Sequence, residues 1–226
     1  PALRRMRDFQ RHAFYASSFI AFNTATPPFN DVRVRYAFNM ATDKQRIAAL
    51  YGAGNTPARS VIPRSASYQP VEALQTDVDG IKCDILAFDP GAARQQLRAV
   101  RERIPSTIRI LSPNSPEAQL ASQVLRSEWR MHLGIDLEIT ILDFPEWIAR
   151  MIQGDYPHIA WSGSSASYVD PTWFLDLFTS GNGYGTQWSD REYSALVAQA
   201  KDSSNPEQRT GTLTECEKQL LLAMPV

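Results

Sequence analysis

Residues 107–161 read TIRILSPNSPEAQLASQVLRSEWRMHLGIDLEITILDFPEWIARMIQGDYPHIAW, and this stretch decides the fold. Thr107 to Leu111 alternates polar and apolar side chains, the period of a strand. Ser115-Pro116 opens a helix, because the serine hydroxyl accepts from an orphan amide and proline sacrifices no hydrogen bond at the first helical position. Leu120 with Val124, and Ala121 with Leu125, fall four apart and form its apolar stripe. Gly134 ends that helix, and Ile135 to Leu142 alternates again as a strand. Asp143 and Pro145 start a short helix through Ile152, and Pro157 to Trp161 is a further short apolar strand. Strand, helix, strand, helix, strand predicts βαβ units on a mixed, largely parallel sheet flanked by helices, an α/β fold.

Upstream, Ala13 to Asn23 is aromatic and apolar and reads as a strand buried on both faces, ended by Thr26-Pro27-Pro28. Asp31 precedes a helix through Met40, and Asp43 caps a second one through Leu50, stopped by Gly52 and Gly54. Residues 55–80 hold Pro57, Pro63, Pro70 and Gly80 without a sustained period and read as a long irregular excursion. Asp89-Pro90 starts a helix running to about Arg103. Downstream the chain is helical from Pro171 to Phe178, from Asp190 to Lys201, and from Asn205-Pro206 to Leu222, where Leu213, Cys216 and Leu220 share a stripe. The sequence shows neither an internal repeat nor a low-complexity segment.

Composition narrows the classes of function. The 226 residues carry 23 Lys+Arg against 24 Asp+Glu, a formal net charge of -1, so no global field attracts nucleic acid or an acidic membrane surface. With 43% hydrophobic residues the chain has enough apolar material to build a core and is not disordered. No apolar run approaches the length that spans a bilayer. Arg4, Arg5, Arg7 and Arg11 crowd the start without the apolar run of a signal peptide, so no targeting address is read there. Cys83 and Cys216 lack metal-ligand spacing; Cys216 reads as a buried, inert thiol, and pairing of the two is left open.

Enzyme signatures are sparse. The phosphate-cradling, dinucleotide, zinc-protease and calcium-loop motifs are absent, and no metal or cofactor is expected. His12, His132 and His158 stand apart from one another and read as packing or surface residues. Gly181-Asn182-Gly183-Tyr184-Gly185 lacks the Lys-Ser/Thr of a phosphate cradle and reads as a loop. Gly163-Ser164-Ser165-Ala166-Ser167 follows a strand and invites comparison with a hydrolase nucleophile elbow. A serine hydrolase using Ser165 is therefore one alternative, weakened because Tyr168-Val169-Asp170 intervenes before any helix and no histidine follows His158. A small-residue loop at the carboxyl end of a strand is also where ligands of open α/β sheets bind. Trp161, Tyr168, Tyr184 and Trp188 lie in or beside loops and divide between pocket and packing, whereas Trp173, Phe174 and Phe178 fall at helical spacing and read as core. A protein-interaction domain is the remaining alternative.

Ordered motifs then add to this reading. Asn23-Thr24, Pro28-Phe29-Asn30-Asp31-Val32-Arg33-Val34-Arg35, Ala37 and Ala41-Thr42-Asp43-Lys44 resemble a signature of the family 5 extracellular solute-binding proteins. Gly52, Gly54, Pro57-Ala58, Ile62-Pro63 and Asp89-Pro90 with Ala92-Ala93 and Leu97 fit its continuation. Tyr168-Val169-Asp170-Pro171, Phe174-Leu175-Asp176, Phe178, Ser180-Gly181-Asn182, Trp188-Ser189 and Glu192-Tyr193 are similar to its oligopeptide-binding branch.

The resemblance implies a receptor of a bacterial ABC importer, non-catalytic, periplasmic or extracellular and membrane-anchored. It implies a periplasmic-binding-protein-like lobe at residues 13–226, with residues 1–12 a linker from an amino-terminal lobe that this chain lacks. Peptide, or a related small solute, is the implied ligand; the membrane permease and the other lobe are the implied partners. Ligand-binding residues are then Trp161, Ser164, Ser165, Ser167, Tyr168 and Tyr184, the aromatics stacking and the serines hydrogen bonding. Oligopeptide receptors place an aspartate just before the motif tyrosine to hold the peptide's amino terminus; here that position is Ser167, or Ser164 if the alignment takes a small gap. A hydroxyl there fits a neutral, sugar-like or blocked ligand, or a peptide held differently. An isolated lobe is also expected to self-associate weakly through its exposed cleft face.

Overall fold

Asp31, Asp43, Asp89, Ser115, Asp190 and Asn205 each accept a hydrogen bond from a backbone amide two or three residues on, and those six caps start six of the eight helices among the described residues. In the computed structural model, which describes residues 14–52 and 54–226, these are α1 (Val32–Met40), α2 (Lys44–Leu50), α3 (Pro90–Arg98), α4 (Pro116–Leu133), α7 (Arg191–Asp202) and α8 (Pro206–Ala223). The other two are α5 (Phe144–Gln153) and α6 (Thr172–Asp176). The expected linker at residues 1–12, and His12 with it, lies outside the described residues.

A four-stranded sheet joins β1 (Ala16–Phe22), β4 (Thr107–Pro113), β5 (Asp136–Leu142) and β6 (Ile159–Ser165) in the order β1-β6-β4-β5. β4 runs parallel to β5 and β6, and β1 runs antiparallel to β6, so the sheet is mixed and largely parallel as expected. Strand alternation sends Ile108, Ile110 and Ile159 to one face, where Leu125, Trp129 and Leu133 of α4 pack together with α1 and α3. Leu111 and Ala160 go to the other face, against Trp147 and Met151 of α5. A third cluster, built from α6, α7 and α8 with Val61, Ile62 and Tyr68, packs against Tyr15 and Phe19. Trp129 illustrates the fit: it is buried, meets Phe38 edge-on at 4.8 Å, and its Nε1 donates to the Thr42 hydroxyl at 2.9 Å.

Several expectations need correction. The irregular excursion holds a hairpin, β2 (Gln75–Val78) against β3 (Ile81–Asp84), turned by Asp79 and Gly80, both at positive φ. Two central residues at positive φ give the turn whose twist matches the flanking strands, and Asp-Gly is its favoured sequence. The helix from Asp89-Pro90 ends at Arg98 and is followed by a short 3₁₀ turn at Arg101–Arg103. The one after Pro171 is only five residues long. β1 is an edge strand, buried only at Ala21 and Phe22 and half-buried or exposed before them. Cys83 and Cys216 are both buried free thiols, and burial raises the pKa of each, Cys216 to about 12.

Gly134 closes α4 at φ 66°, ψ 30°, a left-handed conformation that its missing Cβ makes accessible. A Cβ there meets nothing within 4 Å. Gly134→Ala is therefore expected to cost only the backbone term, about 1 kcal/mol in urea unfolding. A loss several times larger would reveal a contact that the geometry does not contain.

Candidate ligand-binding edge

β4 leads through α4 to β5 on one side, and β5 leads through α5 back past β4 to β6 on its other side. The two helices cover opposite faces, so the strand order reverses between β4 and β6. Ligands of open α/β sheets bind outside the carboxyl ends of the strands at such a reversal. At this reversal β4 pairs with β6 only at Ile110↔Ile159 and Leu111↔Ala160, while β6 continues to Ser165. From Trp161 onward β6 has β1 on one side and, among the described residues, no strand on the other.

Register fixes which backbone groups face that opening. The Ala166 amide donates to the Tyr15 carbonyl at 2.9 Å, whereas the Phe22 amide turns away from β6 to the Pro225 carbonyl, also at 2.9 Å. Hydrogen-bonded and non-hydrogen-bonded pairs alternate along an antiparallel ladder. Ser18↔Gly163 and Ala16↔Ser165 are thus non-hydrogen-bonded pairs, and the N–H and C=O of Gly163 and Ser165 point away from β1. Glycine is required at 163, since a Cβ would lie 2.9 Å from the Ser17 carbonyl. The Tyr184 hydroxyl donates to the Gly163 carbonyl at 2.7 Å, fixing the aromatic beneath the edge. Its ring packs against Phe19 and Phe178, and burial raises its pKa.

The six predicted residues gather around this edge but do not share one face. Trp161 and Ser165 point to the α4 side of the sheet, where Trp161 is half-buried against the core and Ser165 is exposed. Ser164 points to the other side, and its hydroxyl accepts from Trp173 Nε1 at 3.0 Å. Ser167 and Tyr168 follow the strand; both are exposed, and Tyr168 stands edge-on to Trp173 at 5.1 Å. Gly163 to Ser165, read as loop, are strand, so the expected turn begins only at Ala166. Trp188 packs against Tyr193 at 5.0 Å. Trp173, expected in the core with Phe174 and Phe178, does pack against their cluster, but it is half-buried there and also ties Ser164 to Tyr168, a role that sequence reasoning missed. Its place five residues after Tyr168 and eight after the small-residue end of β6 was the signal available.

Asp170, just before α6, is held by a neighbour in sequence and by a distant arginine. It accepts from the amide and hydroxyl of Thr172 at 2.9 and 2.7 Å, and both its oxygens meet Arg209 Nη2 within 3.0 Å. Burial would raise its pKa, but the hydrogen bonds from Arg209 and Thr172 outweigh that and leave it lowered. The two described histidines are engaged elsewhere: His132 pairs with Glu128 at 3.5 Å, and His158 Nδ1 accepts from the Arg109 amide at 3.0 Å. Ser165 therefore meets no histidine base among the described residues, and its place within a paired strand is not that of a nucleophile elbow. Those residues also hold no cluster of three potential metal ligands, and no helix long and apolar enough to cross a membrane.

Comparison with known proteins supplies the context. The family model described as bacterial extracellular solute-binding proteins, family 5 Middle, matches residues 4–186. The di/tripeptide-binding protein 1 of Pseudomonas aeruginosa is 29% identical over 222 residues, covering 92% of this chain and 38% of that protein. The periplasmic oligopeptide-binding protein OppA of Escherichia coli is 23% identical over 209 residues, covering 92% and 38%. Among solved structures, the periplasmic oligopeptide-binding protein of Borrelia burgdorferi superposes with a TM-score of 0.84 at 21% identity, covering 97% of this chain and 43% of that one. The murein tripeptide binding protein MppA of Escherichia coli gives 0.82 at 23% identity, covering 94% and 42%. At such identities the likeness to solved structures is one of fold. The chain spans about two fifths of the length of these relatives, 38% of each curated one.

Proposed function

The chain belongs to the bacterial extracellular solute-binding proteins of family 5, and on that premise we propose that it supplies one lobe of a two-lobed receptor that delivers peptides to an ABC importer. Residues 13–226 form that lobe, and the ligand lies between it and a second lobe. The observation that carries the reading is the open edge of β6 beyond Trp161, at the point where strand order reverses. An extended peptide added there would meet backbone N–H and C=O groups of Gly163 and Ser165, which bind any peptide main chain without regard to its side chains. Trp161, Tyr168 and Tyr184 frame the edge with aromatic surface, and the hydroxyls of Ser164, Ser165 and Ser167 add polar contacts.

The work is binding rather than catalysis, as the names of the relatives support. One lobe supplies only part of the contacts; closure of a second over the ligand excludes water and strengthens each hydrogen bond. The receptor acts outside the cytoplasm and passes its cargo to the membrane permease. Mass spectrometry of solutes released by denaturing the purified two-lobed receptor tests the ligand class. Peptides are expected. Sugars or metal chelates in their place would overturn it.

A further inference from the structure

The strand edge proposed to hold the ligand carries no charge. From Tyr156 to Val169 the sole titratable side chains are Tyr156, His158 and Tyr168, and Ala13 to Asn30, which includes the partner strand β1, has no acidic or basic residue. The first carboxylate after β6 is Asp170, and both its oxygens are engaged by Arg209 and Thr172. Glu117 of α4, and Asp143 and Glu146 at the start of α5, lie at the same end of the sheet but on helices that follow β4 and β5, not on β6 or β1; Asp143 accepts there from Asn114. An α-ammonium brings three donors and no acceptor, and in a closed site it needs an anionic partner to offset its desolvation.

The hydroxyl of Ser164 points the same way. It already accepts from Trp173 Nε1 at 3.0 Å, so its own proton remains to donate. A hydroxyl in that state suits a carbonyl oxygen better than an ammonium. Of the backbone groups at this edge, the Gly163 carbonyl already accepts from Tyr184, which leaves two donors, the N–H groups of Gly163 and Ser165, against one free acceptor, the Ser165 carbonyl. We infer that the portion of ligand received by this lobe is neutral and rich in acceptors: an N-acylated or otherwise blocked peptide end, not a free amino terminus. This rests on the peptide reading above.

The test is a competition on the two-lobed receptor. An equimolar mixture of a randomised tripeptide pool and its N-acetylated counterpart is equilibrated with the protein, unbound material is removed, and released peptides are counted by mass spectrometry. Acetylated peptides are expected to equal or exceed the free ones. Free peptides in excess by about tenfold or more, the worth of one charge-assisted contact, would overturn the inference while leaving the peptide reading intact. Recovery of neither pool would overturn both. Ser164→Asp preserves an acceptor for Trp173 and adds the missing charge, so it is expected to move the ratio toward free peptides by about tenfold. Ser167→Asp, at an exposed position that tolerates a carboxylate, is a second variant should the first fail to fold. An unchanged ratio in both folded variants would likewise count against a neutral end at this edge.

Discussion

Replacing Arg35 by methionine is expected to lower the stability of the lobe by about 3 kcal/mol, among the largest losses any single change here should give. Arg35 is 6% exposed and has no carboxylate within ion-pair distance among the described residues. Its guanidinium instead donates to the Ala223 carbonyl from Nε at 3.1 Å and from Nη2 at 2.6 Å, and from Nη1 to the Phe29 carbonyl. Beside it the Tyr36 hydroxyl donates to the Leu222 carbonyl at 2.5 Å. Two neighbours on α1 thus satisfy the last carbonyls of α8, the negative end of that helix.

Methionine keeps the apolar stem and removes every donor, leaving the buried Phe29 carbonyl and the half-buried Ala223 carbonyl without them. Removing a buried cation returns some desolvation energy, but that offsets the loss only when both partners become apolar, and carbonyls cannot. Burial lowers the pKa of Arg35 to about 10, so it stays charged at neutral pH and the loss should not vary between about pH 5 and 8. Arg35→Lys should recover part of it, since one ammonium cannot reproduce the fork. Denaturant unfolding measures the effect. A midpoint shift worth under about 1 kcal/mol would mean that water satisfies those carbonyls.

Glu217→Ala is expected to cost a similar amount, about 3 kcal/mol. Glu217 is fully buried on α8, where its Oε2 accepts from the Tyr68 hydroxyl at 2.8 Å and the Val71 amide at 3.0 Å. It anchors the return of the 55–80 excursion, whose Val61, Ile62 and Tyr68 pack with Phe174 beneath the ligand edge. Alanine would leave the buried Tyr68 hydroxyl and the half-buried Val71 amide without that acceptor and open a cavity between α8 and the excursion.

Burial raises the pKa of Glu217 against those hydrogen bonds, which fixes the sign of its pH dependence. A carboxyl raised in the folded state contributes stability that is fully present below its unfolded value of 4.5 and is lost as pH climbs through the folded value. Asp31 and Asp170, both lowered, do the reverse and lose their contribution as pH falls below 3.8. Glu217→Gln keeps an acceptor and cannot ionise, so its stability relative to the parent should improve steadily as pH rises from 4.5. A flat difference across that range would show that Glu217 titrates alike in both states.

The caps were legible because they are local. Asp31, Asp43, Asp89, Ser115 and Asn205 bond to amides two or three residues away, and Gly134 ends its helix by its own φ, so neither needs the rest of the fold. The Asp79-Gly80 hairpin was equally local and went unread, its signal masked by the surrounding prolines. The family resemblance, too, lay in ordered short motifs, which act over a few residues each and were legible for the same reason.

Residue identity along the chain therefore determined the elements, their order and the α/β class, because periodicity and capping act within a turn or two. What it could not determine is where β6 stops pairing. Whether Gly163 and Ser165 face a neighbour or an opening depends on β4, about fifty residues earlier, holding only Ile159 and Ala160. Which of Trp161 and Ser164 faces α4, and whether Asp170 is free or bound to Arg209 thirty-nine residues on, depend on the same long-range choices. Only the tertiary structure made those, since a strand's edge and a carboxylate's partner belong to whatever packs beside them and not to the residues themselves.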